Sequence, residues 1–304
     1  AVLLAEAPYD RDEISLLIDV GTNAEIFLGN RDRILAASSP TGPAFEGAQI
    51  SSGQRAAPGA VERVRIDHDT LEPRFKVVGC DVWSDDAAFN DQLPVTGVSG
   101  ICGSGIIEAV AELFLAGVVN AEGVITPEAA ARSKRIVRQE RTFTYILVEG
   151  EPGVRIEQND IRAIQLAKAA LYAGVRLLMD KLGVTRVQRI RLAGAFGANI
   201  DVKYAMILGM IPDCDLSNVS SAGNAAGTGA RIALLDRHAR QLIEQQVRAI
   251  EKIETAAEDS FQDHYVSAMG IPHQFDPFTE LRKLVEVPIT KPATTGRRRR
   301  KRTR

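Results

Sequence analysis

The chain has 304 residues, of which 45% are hydrophobic and 25% are charged, and its formal net charge is −2. This composition is ordinary for a globular protein, and the length suffices for one large domain or two smaller ones. No apolar run is long enough to span a bilayer, and residues 1–12 lack the basic start and apolar centre of a secretory signal. We therefore expect a cytoplasmic protein without a membrane partner.

The cysteines and the charges exclude further classes. Cys80, Cys102 and Cys214 are far apart and odd in number, which argues against a disulfide framework and against an iron–sulfur cluster, since a cluster usually needs four thiolates. The four histidines show no metal-ligand spacing. Seven basic residues lie in 297–304, so the rest of the chain is acidic and no specific nucleic acid is expected. We interpret 287–304 as a basic disordered tail, solvated or in unspecific contact with an anionic surface.

The first strong element is the apolar run 16–20, which predicts a buried strand followed by a Gly-Thr-Asn turn. Gly21 lets a phosphate approach the main chain, and the N–H groups of the turn and the Thr22 hydroxyl can donate to phosphate oxygens. Asp19, at the strand end, can hold a hydrated magnesium ion. Because Asp-x-Gly-Thr is a short motif, a plain β-hairpin with a polar turn remains the alternative.

An alternating segment after the turn predicts a second strand, and residues 33–38 predict a third. Three antiparallel strands in a meander are typical of the start of a ribonuclease-H-like fold. The loop 38–47 is rich in proline and glycine, and it is either a binding loop beside the phosphate turn or a structural corner. Residues 61–79 predict a further β-hairpin.

A glycine-rich turn at 98–105 runs into a predicted amphipathic helix, with Ser104 near its N-cap and Gly117 as its stop. Gly103 and Ser104 could lie near a phosphate at this helix N-terminus, but the glycines could equally allow close packing of the helix on a strand. We interpret Cys102 as a packing residue. The remaining predicted elements of this part are a short helix from Thr126, strands over 142–148 and 154–156, and a long helix capped by Asn159 and Asp160 that ends at Gly183.

A second small-residue turn follows the predicted strand 187–192. Gly194, Ala195 and Gly197 stand at the carboxyl end of this strand, where only small residues let the backbone lie against a nucleoside. A helix through 204–208 and a short strand near 217–221 are predicted next. From Asn224 the pattern predicts one long helix, whose expected buried residues are Ile232, Leu235, Ala239, Leu242, Ile250 and Ile253. For residues 254–288 the sequence predicts no catalytic or binding role.

Four segments in this order resemble the reductive activators of corrinoid proteins, which belong to the acetate-and-sugar-kinase, heat-shock-chaperone and actin superfamily. The segments are 19–23, 39–47, 100–105 and 192–197, and the resemblance covers roughly residues 1–285. It implies an α/β fold, with an actin-like, ribonuclease-H-like ATPase lobe over 15–286. A mixed α+β insertion is expected at about 60–157. Residues 1–14 are expected to be a leader from an upstream lobe.

The resemblance also implies an activity. The family uses ATP hydrolysis to drive electron transfer to an inactive cobalt(II) corrinoid protein that serves a methyltransferase, and this protein is the expected partner. A two-iron, two-sulfur cluster in an N-terminal domain delivers the electron. Only one Asp-x-Gly-Thr turn is present here, so we interpret the chain as the C-terminal half. Its expected cofactors are ATP and Mg²⁺, and the cluster is expected only in the absent N-terminal domain. A homodimer is possible.

The resemblance assigns roles to single residues. Asp19 would organise the metal or the attacking water, and Glu25 would help to polarise water, although a strand glutamate is usually a solvated residue. The residues expected to bind the nucleotide are Gly21, Thr22, Asn23, Gly103, Ser104, Gly194, Ala195 and Gly197. Two rival functions remain open: a phosphotransferase of the same superfamily that acts on a small molecule, and a non-enzymatic module that docks a partner.

Overall fold

A computed structural model of the chain describes residues 1–151, 153–197 and 199–288, apart from the side chains of residues 195 and 196. The predicted basic tail therefore lies outside the described residues from position 289 onward. In chain order the strands are β1 (Ser15–Val20), β2 (Ala24–Gly29), β3 (Ile34–Ser39), β4 (Ala60–Ile66), β5 (Pro73–Val77), β6 (Gly100–Ile101), β7 (Ile136–Gln139), β8 (Thr142–Val148), β9 (Val154–Glu157), β10 (Arg189–Ala193), β11 (Val219–Gly223) and β12 (Glu251–Lys252).

The helices in chain order are α1 (Val2–Glu6), α2 (Phe89–Gln92), α3 (Gly103–Leu115), α4 (Pro127–Arg132), α5 (Gln158–Leu182), α6 (Gly194–Gly197), α7 (Val202–Leu208), α8 (Ala225–Leu235), α9 (Arg237–Ala249) and α10 (Asp259–Ser267). A 3₁₀ turn, Pro43–Glu46, lies between β3 and β4. Within the described part of the chain, none of these helices combines the length and the apolarity needed to cross a membrane.

The main sheet has the strand order β11-β10-β1-β2-β3-β12. Strands β1, β2 and β3 form an antiparallel meander, whereas β10 runs parallel to β1 and β11 parallel to β10. β1 is a central strand because it is apolar on both faces, with Leu16, Leu17 and Ile18 all buried. The predicted meander and the predicted parallel strand are both present, which confirms the ribonuclease-H-like arrangement.

Helices cover both faces of this sheet. α5 packs on one face so closely that a β-carbon on Gly174 would lie 2.3 Å from the Ser39 hydroxyl oxygen. α1 and α8 cover the other face, and Gly229 of α8 lies directly against the carbonyl of Ala1. α5 ends at Gly183 as predicted, but its N-cap is Glu157, which forms a capping box with Asp160.

Two three-stranded sheets, β5-β4-β6 and β7-β8-β9, lie between β3 and α5 in the chain. The hairpin β4–β5 matches the prediction. Helix α3 runs along β4, and two of its glutamates accept hydrogen bonds from the strand: Glu108 from the N–H of Val64 at 3.0 Å and Glu112 from the N–H of Ile66 at 3.1 Å. The bounds assigned to the leader, the lobe and the insertion stay predictions.

The long helix predicted from Asn224 is wrong in two respects. It is two helices, because Asp236 breaks it and caps α9, accepting a hydrogen bond from the N–H of His238 at 2.7 Å. Its expected apolar face is also only partly buried: Ala239 and Ile253 are buried, but Leu235 is 85% exposed and Leu242 is exposed as well. Part of this surface therefore faces solvent.

Residues 254–288, which indicated no chemistry, form α10 and a segment that packs on α5. The Lys168 ammonium, which is fully buried, donates to the carbonyls of Gly270 and Pro272, the latter at 2.8 Å. The Tyr172 hydroxyl donates to Asp276 at 2.5 Å. Burial lowers the pKa of Lys168 to about 7. Polar side chains on one stripe of α5 thus fix this segment.

Candidate functional site

The turn between β1 and β2 is held from behind by the loop 39–47. The Thr41 hydroxyl donates to the carbonyls of Gly21, at 2.8 Å, and of Thr22, at 3.1 Å. The N–H of Gly42 also donates to the Thr22 carbonyl, at 2.9 Å. The carbonyls of the turn are therefore tied to the loop. The loop therefore fixes the turn structurally, and a role of the loop in binding stays a prediction.

Two of the three N–H groups of the same turn are left open, whereas the N–H of Gly21, also predicted to donate to a phosphate, donates instead to the Asn23 carbonyl at 3.0 Å. Among the described residues, no hydrogen bond uses the N–H of Thr22 or of Asn23. A turn with tethered carbonyls and open N–H groups is a typical anion-binding concavity. The sequence predicted these donors, and the structure leaves them accessible to a phosphate.

The Thr22 hydroxyl is placed differently from the prediction, which had it free to donate to a phosphate. It donates instead to the carboxylate of Glu46, with a distance of 3.0 Å between the two oxygens. Neither Thr41 nor Glu46 was singled out from the sequence. The available signal was their position in a proline- and glycine-rich loop next to the predicted phosphate turn.

Asp19 lies at the end of β1, directly opposite Glu25 on β2 and Ala193 on β10. Burial raises the pKa of Asp19 above its usual value. Glu25 is exposed, and its carboxylate accepts a long hydrogen bond of 3.4 Å from the Ser38 hydroxyl. Both acids line a cavity of about 550 Å³. The structure therefore brings the two predicted carboxylates together on one face of the sheet.

The second small-residue turn lies against the first. Gly194 has a φ of +89°, and a β-carbon there would lie 2.7 Å from Oδ1 of Asp19 and 2.9 Å from the carbonyl oxygen of Val20. Gly197 follows in α6, folded back toward Leu192. Ala195 also lies in α6, and its side chain is outside the described residues. The two turns thus meet at one edge of the main sheet.

Gly103 and Ser104 open α3, whose N-cap is Cys102. The N–H of Cys102 donates to the Val61 carbonyl at 3.0 Å, and a β-carbon on Gly105 would lie 2.2 Å from the same oxygen. Ser104 is buried, with its hydroxyl 3.3 Å from the Cys102 sulfur. These contacts explain the glycine-rich turn by close packing of α3 on β4, and a role of Gly103 and Ser104 near a phosphate stays a prediction.

The oxygen atoms that could ligate a metal ion near the turn suit magnesium rather than a softer metal. Within the part of the chain that the structure describes, no group of three or more histidines, cysteines or acids is arranged to hold a metal ion. Asp19, Thr22 and Glu46 offer carboxylate and hydroxyl oxygens. Mg²⁺ prefers such oxygens, keeps several waters, and usually binds through one or two carboxylates plus substrate phosphates. The residues therefore fit a magnesium ion carried by a nucleotide.

Comparison with protein families identifies the domain. A family described as the C-terminal domain of RACo, the ASKHA domain, matches residues 13–282. The chain belongs to this family. The match confirms the predicted resemblance and the actin-like ATPase fold, and an ASKHA domain indicates nucleotide binding.

Relatives of this ASKHA domain are named as enzymes. It is 35% identical to the corrinoid activation enzyme RamQ of Eubacterium limosum over 278 residues, and this alignment covers 88% of the chain and 44% of RamQ. It is 28% identical over 295 residues to the [Co(II) methylated amine-specific corrinoid protein] reductase of Methanosarcina barkeri, covering 91% of the chain and 50% of the reductase.

A solved structure is also similar. The reductive activator for corrinoid, iron–sulfur protein matches this ASKHA domain with a TM-score of 0.76 and 35% sequence identity, over 90% of the chain and 42% of the activator. The chain spans half or less of the length of each relative named here. The roles of the single site residues are not tested by these comparisons and stay predictions.

Proposed function

We propose that this ASKHA domain binds Mg²⁺–ATP at the edge where the two turns meet. As part of a larger reductive activator, it would couple ATP hydrolysis to the reduction of a cobalt(II) corrinoid protein that serves a methyltransferase. The observation that supports the proposal is the close approach of Gly194 to Asp19, because it brings the Gly-Thr-Asn turn and the small-residue turn together on one side of one sheet.

The local geometry supports the nucleotide part of the proposal. The open N–H groups of Thr22 and Asn23 would donate to phosphate oxygens, and the tethered carbonyls of the turn keep these donors oriented. Gly194 and Gly197 would leave room for the nucleoside. Asp19 would accept a hydrogen bond from the attacking water and orient it. A bound Mg²⁺ would neutralise phosphate charge.

The names of the relatives support the redox part. RamQ is named as a corrinoid activation enzyme, and the other curated relative as a reductase of a Co(II) corrinoid protein. The cysteines of this chain are free and buried, so we assign the electron donor, a two-iron, two-sulfur cluster, to a part of the larger protein outside this chain. A nucleotide-dependent closure of two lobes would alter the fit to the corrinoid protein and so link hydrolysis to reduction.

The test measures ATP turnover with and without a cobalt(II) corrinoid protein. It uses the chain itself and the chain fused to the upstream half of the structurally similar activator. Turnover that rises when the corrinoid protein is added supports the proposal, together with loss of the cobalt(II) electron paramagnetic resonance signal in a fusion whose two-iron, two-sulfur cluster has first been chemically reduced, since that cluster supplies the electron. A phosphorylated small-molecule product would favour the phosphotransferase. Firm binding of the corrinoid protein with no affinity for ATP would favour the docking module.

A further inference from the structure

Glu46 is an exposed acid on a firmly fixed piece of backbone. It ends the 3₁₀ turn Pro43–Glu46, between Phe45, which is fully buried, and Gly47. Gly47 has a φ of +82°, and a β-carbon there would lie 2.7 Å from the carbonyl oxygen of Gln54. The neighbours on both sides therefore hold the α-carbon of Glu46 in place, and its side chain reaches a defined point.

That point is the phosphate turn. Glu46 accepts the hydrogen bond of the Thr22 hydroxyl at 3.0 Å, and among the described residues it forms no ion pair with a lysine, arginine or histidine. A negative charge without a paired cation thus stands beside the open N–H groups of Thr22 and Asn23. A phosphate entering this turn would meet that charge and be repelled by it.

The hydrogen bond also decides what the Thr22 oxygen can do. A hydroxyl has one proton to donate and two lone pairs. Because the proton is given to Glu46, the oxygen presents only lone pairs to a ligand in the turn. It is then suited to a hard cation and unsuited to donate to a phosphate.

We propose that Glu46 is a positioning residue that makes nucleotide binding at this turn depend on a divalent cation. It fixes the Thr22 hydroxyl oxygen as a cation ligand, and it repels a phosphate that arrives without a cation. The inference rests on the proposed Mg²⁺–nucleotide site and adds to it the residue that makes the cation necessary for binding.

The experiment is calorimetric titration of the 304-residue chain with ADP, once in excess EDTA and once in excess Mg²⁺. In the wild type, Mg²⁺ increases the affinity for ADP. In Glu46→Gln, ADP without Mg²⁺ binds more tightly than in the wild type, and the enhancement by Mg²⁺ is smaller by about fivefold or more, a usual size for coupling between two ligands. Thr22→Val also loses part of the enhancement, and the double variant loses less than the sum of the two single effects.

Glu128→Gln is the matched control, because it removes the same charge from an exposed position on α4. It leaves the Mg²⁺ enhancement at the wild-type value. Manganese supplies a second readout, since binding of the Mn²⁺–ADP complex to the protein depletes the electron paramagnetic resonance signal of free Mn²⁺ beyond the depletion by ADP alone, and this additional depletion is smaller with Glu46→Gln than with the wild type.

The possible failures are distinct. If the wild type binds ADP and Glu46→Gln keeps the full Mg²⁺ enhancement, the inference is overturned and the proposed site stands. If Glu128→Gln changes the enhancement as much as Glu46→Gln does, net charge is the cause and the inference is again overturned. If the wild type binds no ADP with or without Mg²⁺, the proposed nucleotide site fails and the inference falls with it.

Discussion

Gly194 lies so close to Asp19 that a β-carbon at 194 would stand 2.7 Å from the Asp19 Oδ1 and 2.9 Å from the Val20 carbonyl oxygen, so the Asp19 carboxylate would have to move. We expect Gly194→Ala to destabilise the fold and to weaken ATP binding by moving Asp19. A φ of +89° alone costs a non-glycine residue about 1–2 kcal/mol, and the contact adds to that. Urea unfolding and calorimetric titration with Mg²⁺–ATP measure the two effects.

Gly183→Ala is the control for this variant. Gly183 also has a positive φ, of +74°, but a β-carbon there would meet no atom within 4 Å. The Gly183→Ala variant should lose the same stability of about 1–2 kcal/mol from its backbone conformation and should keep full affinity for ATP. Equal losses of stability and of affinity in both variants would show that the contact with Asp19 has no effect.

Asp19→Asn should lower ATP turnover by about 100-fold or more in a protein that contains both lobes, since the neutral amide accepts a weaker hydrogen bond from the attacking water than the carboxylate and orients it poorly. In the wild type, burial raises the pKa of Asp19, so turnover should fall with decreasing pH sooner than for an ordinary aspartate. Steady-state kinetics across pH measure both effects. Asp32→Asn, in an exposed turn, is the control, and unchanged turnover in Asp19→Asn would place Asp19 outside the site.

Lys168 should make the stability of the folded chain depend on pH. Burial lowers its pKa to about 7 in the folded chain, whereas the unfolded chain keeps the ordinary value of 10.5. Between these values the unfolded chain binds more protons, so the free energy of unfolding rises with pH. His273 lies nearby, but burial lowers its pKa to about 4, and it does not titrate in this range.

Lys168→Met should remove this rise. Urea unfolding of both proteins between about pH 7 and about pH 9 gives the comparison, and the wild type should gain stability relative to the variant over that interval. Lys134→Met, at an exposed position, should follow the wild type. Parallel curves for Lys168→Met and the wild type would contradict the prediction.

Glu108→Ala should destabilise the chain by about 1–3 kcal/mol or more, since it leaves a buried donor without an acceptor and two charges without their partner. Glu108 is fully buried, and it accepts hydrogen bonds from Arg63 at 2.7 Å, from Arg65 at 2.6 Å and from the N–H of Val64. Thermal and urea unfolding measure the loss. Glu128→Ala, on the surface, should change stability little, and a similar small change in Glu108→Ala would contradict the assignment.

The strands and the two small-residue turns were predictable because their signals are local. The run 16–20 is apolar apart from Asp19, Gly21 and Gly194 each follow a strand directly, and the observed ends of β1 and β10 differ from the predicted ones by one or two residues. The break before α9 also has a local signal in the sequence, but the continuous apolar pattern predicts a single helix there. This signal is Asp236, a favoured N-cap residue, which stands inside the segment that the apolar pattern predicts as one helix.

The remaining features depend on contacts between residues far apart in the chain. Glu46 acquires its position at Thr22 through the packing of Phe45, and the proline- and glycine-rich loop around it indicates a rigid segment but not this pairing. Lys168 and Tyr172 read as polar positions on a helix, and only the folded segment 269–276 shows what they bind. Such pairings follow from tertiary packing, which apolar periodicity does not encode.

Glu108 and Glu112, one helical turn apart on α3, occupy the N–H groups of two alternate residues of β4. A strand edge with free N–H groups is a template on which another polypeptide can add itself. Here two glutamate side chains of α3 already accept the hydrogen bonds that the backbone of an incoming strand would otherwise accept. Beyond the short pairing of β6 with Ala60 and Val61, β4 is thereby protected on this side from self-association into extended sheets.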